Sequence, residues 1–417
     1  MTPPPAPEHA AGIDPDARRR EFDAQLDAAR GKYEASVDGT LGIEEEFAIC
    51  DPETLDLRAR YEELRDLAAG VGLGESVAGE LLASEIEFRT GRCETWRDAF
   101  EELVGIRRRV MQVARDANAL LGASATHPWA DYREQETVAL PYYEELVAKM
   151  QYVAHRNNTF GLHVHVGVQG ADRAIRVADA LRAYQPLLLA LSSSSPFLDG
   201  RDCGLASARH MIFSRNFVRG NVAPVFGSLD GYLGHLRWLA DVGSIDTVGQ
   251  VWWGTRPHVL HGTIELRMFD GQPDVRDTLA LTALASGTIA YLCSLHDAGE
   301  LPDPVESHLV DENCWRAARW GTDAVFADLG DVEGAGRMCA AEAIGRLIAN
   351  ARIAGTAAGL DLDAGLDRAQ QLLDAGSSAQ WQRASFDEGG SLLETYRAVV
   401  DATMSSADEA ELAPAGA

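Results

Sequence analysis

Four short tracts hold most of the residues in this chain that could do chemistry: LGIEEEFAI (41–49), EIEFRT (85–90), GLHVHVGV (161–168) and GTIELRMFD (262–270). Each reads as a β-strand, and side chains alternate faces along a strand. One face then carries Glu44 and Glu46 in the first tract and Glu85, Glu87 and Arg89 in the second. The third presents His163 and His165, and the fourth Thr263, Glu265 and Arg267. Aliphatic and aromatic residues fill the opposite faces. An ordinary solvated face uses Thr, Lys, Ser and Gln, yet Lys is absent from all four tracts. If the strands are neighbours, several carboxylates converge. Two carboxylates about 5 Å apart repel by roughly 3 kcal/mol at an effective dielectric near 20. Such a cluster raises its pKa values or takes up cations. Carboxylate oxygens with imidazoles suit Mg²⁺ or Mn²⁺, and the lack of thiolates argues against structural zinc. Glu45 breaks the pattern. Alternation puts it on the core face between Ile43 and Phe47, which calls for a sheet edge or a buried partner, so it is left out of the candidate site.

Nucleotide binding has no obvious loop. No G-x-x-x-x-G-K-[ST] occurs, and GVGLGES lacks the spacing of a dinucleotide fingerprint. Phosphates would instead be held by metals on the carboxylate sheet, with Arg267 as the positive clamp.

The elements that must position these residues follow from spacing. Helical spacing covers residues 15–35, 96–121, 142–154 and 171–191, and only helices are expected from Asp274 to about Met404. Strands in the first two thirds and helices closing the chain predict an α+β fold, an antiparallel sheet with helices on one side. A Pro/Ala-rich disordered tail is expected over 1–14, one domain over 15–404, and a solvated acidic tail over 405–417. The 64 acidic and 37 basic residues leave a net charge of −27, a poor match for nucleic acid or an anionic membrane. The apolar run Thr278–Leu295 is broken by Thr, Ser and Gly and reads as a buried helix rather than a membrane span. Six dispersed cysteines with no metal spacing read as reduced thiols, and a cytoplasmic protein is expected.

The same tracts, together with SSPFLDGRDCGLASAR and WWGTRPH, occur here in the order seen in the glutamate–cysteine ligase type 2 family of carboxylate–amine ligases, which this chain resembles from about Gly39 to Ser294. The resemblance implies a glutamine-synthetase-like catalytic fold, a curved antiparallel sheet whose concave face binds ATP through two or three Mg²⁺, with a helical C-terminal part. It implies metal ligation by Glu44, Glu46, Glu87, His163 and Glu265, and by Glu80, which alternation from Glu87 does not select. Arg267 is implied as the residue neutralising the transferring phosphoryl group. The implied reaction converts the γ-carboxylate of glutamate, or of a related acid, to an acyl phosphate that an amine such as cysteine then displaces. His165 is a candidate for taking the amine's proton, orienting substrate or supporting a ligand. Arg256 and His258 are candidates for meeting a substrate carboxylate. Arg209, with Arg201 and Asp202, is a candidate for covering nucleotide or acid. His127 reads as a turn residue.

Substrates are expected to be small amino acids, and a homodimer is compatible with the sequence. The stretch before the first strand is longer than the family expects and carries an added helix. No residue marks selection of a thiol-bearing amine. A guanidino or carboxylate kinase, or a metal-dependent hydrolase, would use the same sheet.

Overall fold

The computed structural model describes residues 14–330 and 336–412. Its strands are β1 (Leu41–Cys50), β2 (Val77–Ala78), β3 (Glu85–Arg89), β4 (Leu120–Gly122), β5 (Gly161–Gly167), β6 (Phe197–Leu198), β7 (Arg201–Asp202), β8 (Thr255–His258), β9 (Thr263–Asp270), β10 (Val325–Ala327) and β11 (Arg337–Cys339). Seven of them form one open sheet in the order β2-β3-β1-β5-β9-β8, with β4 pairing the end of β1. Every ladder in it is antiparallel. The four chemistry-bearing tracts are therefore the four adjacent strands β3, β1, β5 and β9.

Alternation decides the two faces. Leu41, Ile43, Leu162, Val164, Val166, Ile264 and Leu266 are all buried on the back face, under the helix Val275–Ala298 and the helix Trp96–Asp116. Val275–Ala298 is long and apolar enough to cross a membrane, but 78% of its most apolar window is buried inside the chain, as its Thr, Ser and Gly content suggested. Trp96 ties the two helices by donating its indole N–H to the Leu279 carbonyl at 2.9 Å.

Glu45 has the buried partner that its position demanded. Arg107 grips its carboxylate with two hydrogen bonds, and the Thr278 hydroxyl donates to it at 2.7 Å. Nη2 and Nη1 also donate to the carbonyls of Gln272 and Pro273, so every guanidinium nitrogen and both carboxylate oxygens have a partner.

Several boundaries differ from expectation. The helix expected over 142–154 breaks at Gln151, which adopts a left-handed φ of 49°. The C-terminal part is not purely helical, because β10 and β11 form a small hairpin. Three-residue strands are too short to show a period of two, and β10 is fixed instead by Asn313, whose side chain bonds both backbone groups of Ala327 at 2.9 Å. The last helix runs Leu392–Glu409, past the expected start of the acidic tail. Small residues explain the extension. Ser406 and Ala407 are buried, Ser406 bonds the Val275 backbone, and Arg108 donates to the carbonyls of Ala407 and Ala410. The expected N-terminal tail lies outside the described residues up to residue 13, and Asp14 caps the helix Pro15–Glu34. All six cysteines are free thiols.

Candidate active site

Strand register brings the chemistry together. Glu46 stands opposite Glu87, Glu44 opposite His163, His165 opposite Glu265, and Glu265 opposite Arg256. Between Leu162 and Val164 the β5–β9 register shifts by one residue. This bulge sets Arg267 and Met268 against His163, and bulges of this kind re-aim side chains beside functional sites.

Among the described residues, three groups of side chains could each hold a cation, with ligand atoms lying within 4.8 Å of one another. They are Glu46, Glu80 and Glu87; Glu44, Glu87 and His163; and Glu44, His165 and Glu265. His163 links them, with Nδ1 3.0 Å from Glu44 and Nε2 3.6 Å from Glu46. Its Nε2 and that of His165 are buried without a hydrogen-bond partner. Orphaned imidazole nitrogens beside carboxylate oxygens are a donor set that fits Mg²⁺ or Mn²⁺. His165 is oriented by Thr263, 3.0 Å from Nδ1, and its Nε2 faces Glu44 at 3.4 Å and Glu265 at 3.8 Å.

The electrostatics divide the cluster in two. At the β3 end, burial and neighbouring carboxylates raise Glu80 to about 7 and hold Glu85 and Glu87 well above the ordinary carboxylate range. At the β9 end, burial opposes ionisation of Glu265, but Arg256 and Arg267 outweigh it and hold the carboxyl well below that range. Burial likewise opposes ionisation of Glu44, and the hydrogen bond with His163 and the nearby imidazole of His165 overcome it. One end is thus short of positive charge and the other is supplied with it.

Two cavities flank the cluster and share no lining residue. The smaller, about 200 Å³, is lined by Glu46, Glu80, His163, Arg209, Arg256 and Arg267 on its polar side, and by Tyr142, Tyr143, Leu146, Phe213 and Trp252 on its apolar side. The larger, about 800 Å³, reaches Glu44 and His165 and is bounded by Lys32, Arg89, Arg92 and His261. Arg209 is buried, with Nη1 donating to the carbonyls of Phe269 at 3.0 Å and Arg267 at 3.3 Å. It packs so closely on β5 that a Cβ at Gly161 would overlap its guanidinium.

The model of glutamate–cysteine ligase family 2 matches residues 40–399. The chain belongs to this family. Among its relatives, a protein of Rubrobacter xylanophilus provisionally named glutamate–cysteine ligase 2-2 is 38% identical over 70% of this chain and 75% of its own length. A Thermobifida fusca protein provisionally named glutamate–cysteine ligase 2 is 36% identical over 88% of this chain and 92% of its own. The fold matches that of a glutamate–cysteine ligase from Francisella tularensis in complex with AMP, at a TM-score of 0.63 and 12% identity over 92% of each chain. It also matches a bifunctional glutathione synthetase from Pasteurella multocida, with a TM-score of 0.63 and 13% identity, over 94% of this chain and 55% of that longer one. The glutamine-synthetase-like sheet implied by resemblance is therefore the fold of this family member. Membership supports the coarse activity of an ATP-dependent carboxylate–amine ligase.

Within this ligase-family site, Glu44, Glu46, Glu80, Glu87, His163, His165, Arg209, Arg256, Glu265 and Arg267 gather on one sheet face or in the smaller cavity, whereas Arg201 and Asp202 lie apart on β7. Their placement differs in detail. Glu80, which alternation could not select, lies in the turn after β2 and reaches the cluster from outside the strand pattern. His165 lines the larger cavity and not the smaller one. Arg256 is taken up by Glu265 and the Val251 carbonyl. Asp202 forms an ion pair at 2.9 Å with Arg383 of the helix Ser378–Asp387. His127 is more than a turn residue: it is buried, with Nε2 2.8 Å from the Leu55 carbonyl and Nδ1 accepting from the Ala130 N–H at 3.1 Å. Sequence reasoning placed Glu85 on the right face without assigning it to the site. It missed Tyr142 and Tyr143, whose helix carries no local sign of facing a cavity.

Proposed function

We propose that the protein joins the γ-carboxylate of glutamate, or of a related acid, to an amine such as cysteine at the expense of ATP, through an acyl phosphate. The observation that carries this reading is the meeting of two unequal cavities at one carboxylate–imidazole cluster with Arg267 beside it. Cofactor-sized ligands occupy clefts of about 300–1,000 Å³. The larger cavity meets that size, and the smaller suits an amino acid. ATP then enters from the Glu44 and His165 side, and the acid from the Glu46 and Glu80 side.

Glu44, Glu46, Glu80, Glu87, His163, His165 and Glu265 would hold Mg²⁺ or Mn²⁺. When bound, such ions offset the repulsion between carboxylate and triphosphate and stabilise charge on the transferring phosphoryl group. Arg267, held on the cluster by Glu265, offers its guanidinium to the same phosphoryl oxygens. Arg209 presents a buried cation to the acid's carboxylate in the smaller cavity. The acid's oxygen attacks the γ-phosphorus and ADP leaves. The amine then attacks the acyl carbon, the carbon–oxygen bond to phosphate breaks, and the amine's proton can leave with phosphate. His165 acts here as a ligand, since its free nitrogen faces Glu44 and Glu265.

The test is ADP release from purified protein with Mg²⁺, ATP and glutamate, with and without cysteine and then other amines. ADP and amide formed together support the ligase. ADP formed without amine dependence supports a kinase, and amide or ester hydrolysis without ATP supports a hydrolase.

A further inference from the structure

The helix Pro15–Glu34 ends six residues before the family match begins at residue 40. It is nonetheless part of the folded body. Phe22, Leu26, Ala29 and Tyr33 are buried in the main core. Ion pairs pin its outer face to three other helices: Arg18 to Glu145 at 3.0 Å, Arg19 to Asp241 at 2.7 Å, and Arg30 to Asp172 and Asp230. Its last turn is fitted against the start of β9. Gly262 there has a φ of 68°, and a Cβ on it would overlap the Lys32 carbonyl. The helix therefore delivers Lys32, Ala35 and Ser36 to a fixed place on the wall of the larger cavity.

Lys32 is one of only two lysines among 37 basic residues. The other, Lys149, is ion-paired with Asp246 at 2.9 Å. The cavity's other long cations are engaged, Arg92 with Glu94 at 3.1 Å and Arg89 with the Glu75 carbonyl at 3.4 Å. Lys32, exposed on the wall of the 800 Å³ cavity, makes no side-chain hydrogen bond or ion pair among the described residues. At the cavity's inner end stand Glu44 and His165. A cation in the last turn of a helix also complements the helix dipole, a stabilising effect that requires no ligand.

We infer that Lys32 is a nucleotide-binding residue supplied by the helix that precedes the family match, its ammonium meeting the polyphosphate of ATP in the larger cavity. The inference rests on the proposed placement of ATP there. A protein of net charge −27 repels a triphosphate at long range, so a single unpaired ammonium at the cavity wall has a large share in attracting it.

The test is equilibrium binding of a fluorescent ADP analogue, with steady-state kinetics, for the wild type, Lys32→Met and Lys32→Arg. Lys32→Met is expected to weaken binding and raise KM for ATP about tenfold, the loss of one charge contact. KM for glutamate and kcat should stay unchanged. The wild-type affinity should fall more steeply with salt than that of the Met variant, and Lys32→Arg should restore most of it. A lower melting temperature with unchanged nucleotide affinity would reduce Lys32 to a helix-dipole residue and overturn the inference. Equal binding by the wild type and Lys32→Met would also overturn it while leaving the ligase reading intact. No binding by any of the three would overturn both.

Discussion

Strand β1 carries three consecutive glutamates, and the sheet treats them in opposite ways. Glu45 points to the back face, where Arg107, Thr278 and two backbone carbonyls leave no polar side-chain atom of the pair without a partner. Glu44 and Glu46 point to the front, where Glu80, Glu85 and Glu87 crowd in and two imidazole nitrogens stay unpartnered. Burial is similar on the two faces: Glu45 is 3% exposed and Glu46 8%. What differs is completeness. A closed ion pair holds elements in register, whereas an incomplete set of ligands has affinity left for something else. Function here sits where the protein leaves its own electrostatics unfinished.

That contrast can be broken from either side. The largest effect is expected on the front face. Glu46→Gln should lower ADP formation at least about 100-fold while leaving the urea unfolding midpoint near that of the wild type, because it removes a ligand and no packing. On the back face the expectation is reversed. Arg107→Met strands a buried carboxylate and should cost about 3–5 kcal/mol, whereas the double change Glu45→Leu with Arg107→Met should recover most of that loss. Urea titrations of the three proteins check it, and a double variant no better than the single one would contradict the closed-pair account.

His127 offers a buried group of a third kind, satisfied only when neutral. Burial holds its pKa down to about 4, against a bond to the Leu55 carbonyl. Below pH 6.5 the unfolded chain binds a proton that the buried ring refuses, so this contribution is full above 6.5 and is lost as pH falls toward 4. Between pH 7 and pH 5 the loss is about 2 kcal/mol. His127→Asn should flatten the dependence of unfolding free energy on pH by that amount. The smallest effect is expected from Glu85→Gln. Glu85 stands beside the cluster but belongs to none of its three ligand groups, so activity should fall about tenfold or less. A loss equal to that of Glu46→Gln would move Glu85 into the ligand set.

The contrast also shows what the sequence can reveal. Period-two alternation was enough to separate Glu44 and Glu46 from Glu45 and to align His163, His165, Glu265 and Arg267, because a strand's geometry is local. Family resemblance added Glu80, which reaches the cluster from a turn after a two-residue strand. Arg107 could not be paired with Glu45 from sequence, since the two are 62 positions apart and joined only by helix packing. Tyr142 and Tyr143 were hidden for the same reason. The short hairpin of β10 and β11 fell below the length at which a strand pattern shows.

The central claim is that this cluster drives transfer of a phosphoryl group to a carboxylate. Its most direct test uses glutamate labelled with ¹⁸O in the γ-carboxylate, incubated with the protein, Mg²⁺, ATP and the best amine, and mass analysis of the phosphate released. An acyl phosphate requires one labelled oxygen to pass from each glutamate consumed into phosphate. Phosphate formed in step with ADP but free of label would contradict the claim and reduce the site to ATP hydrolysis.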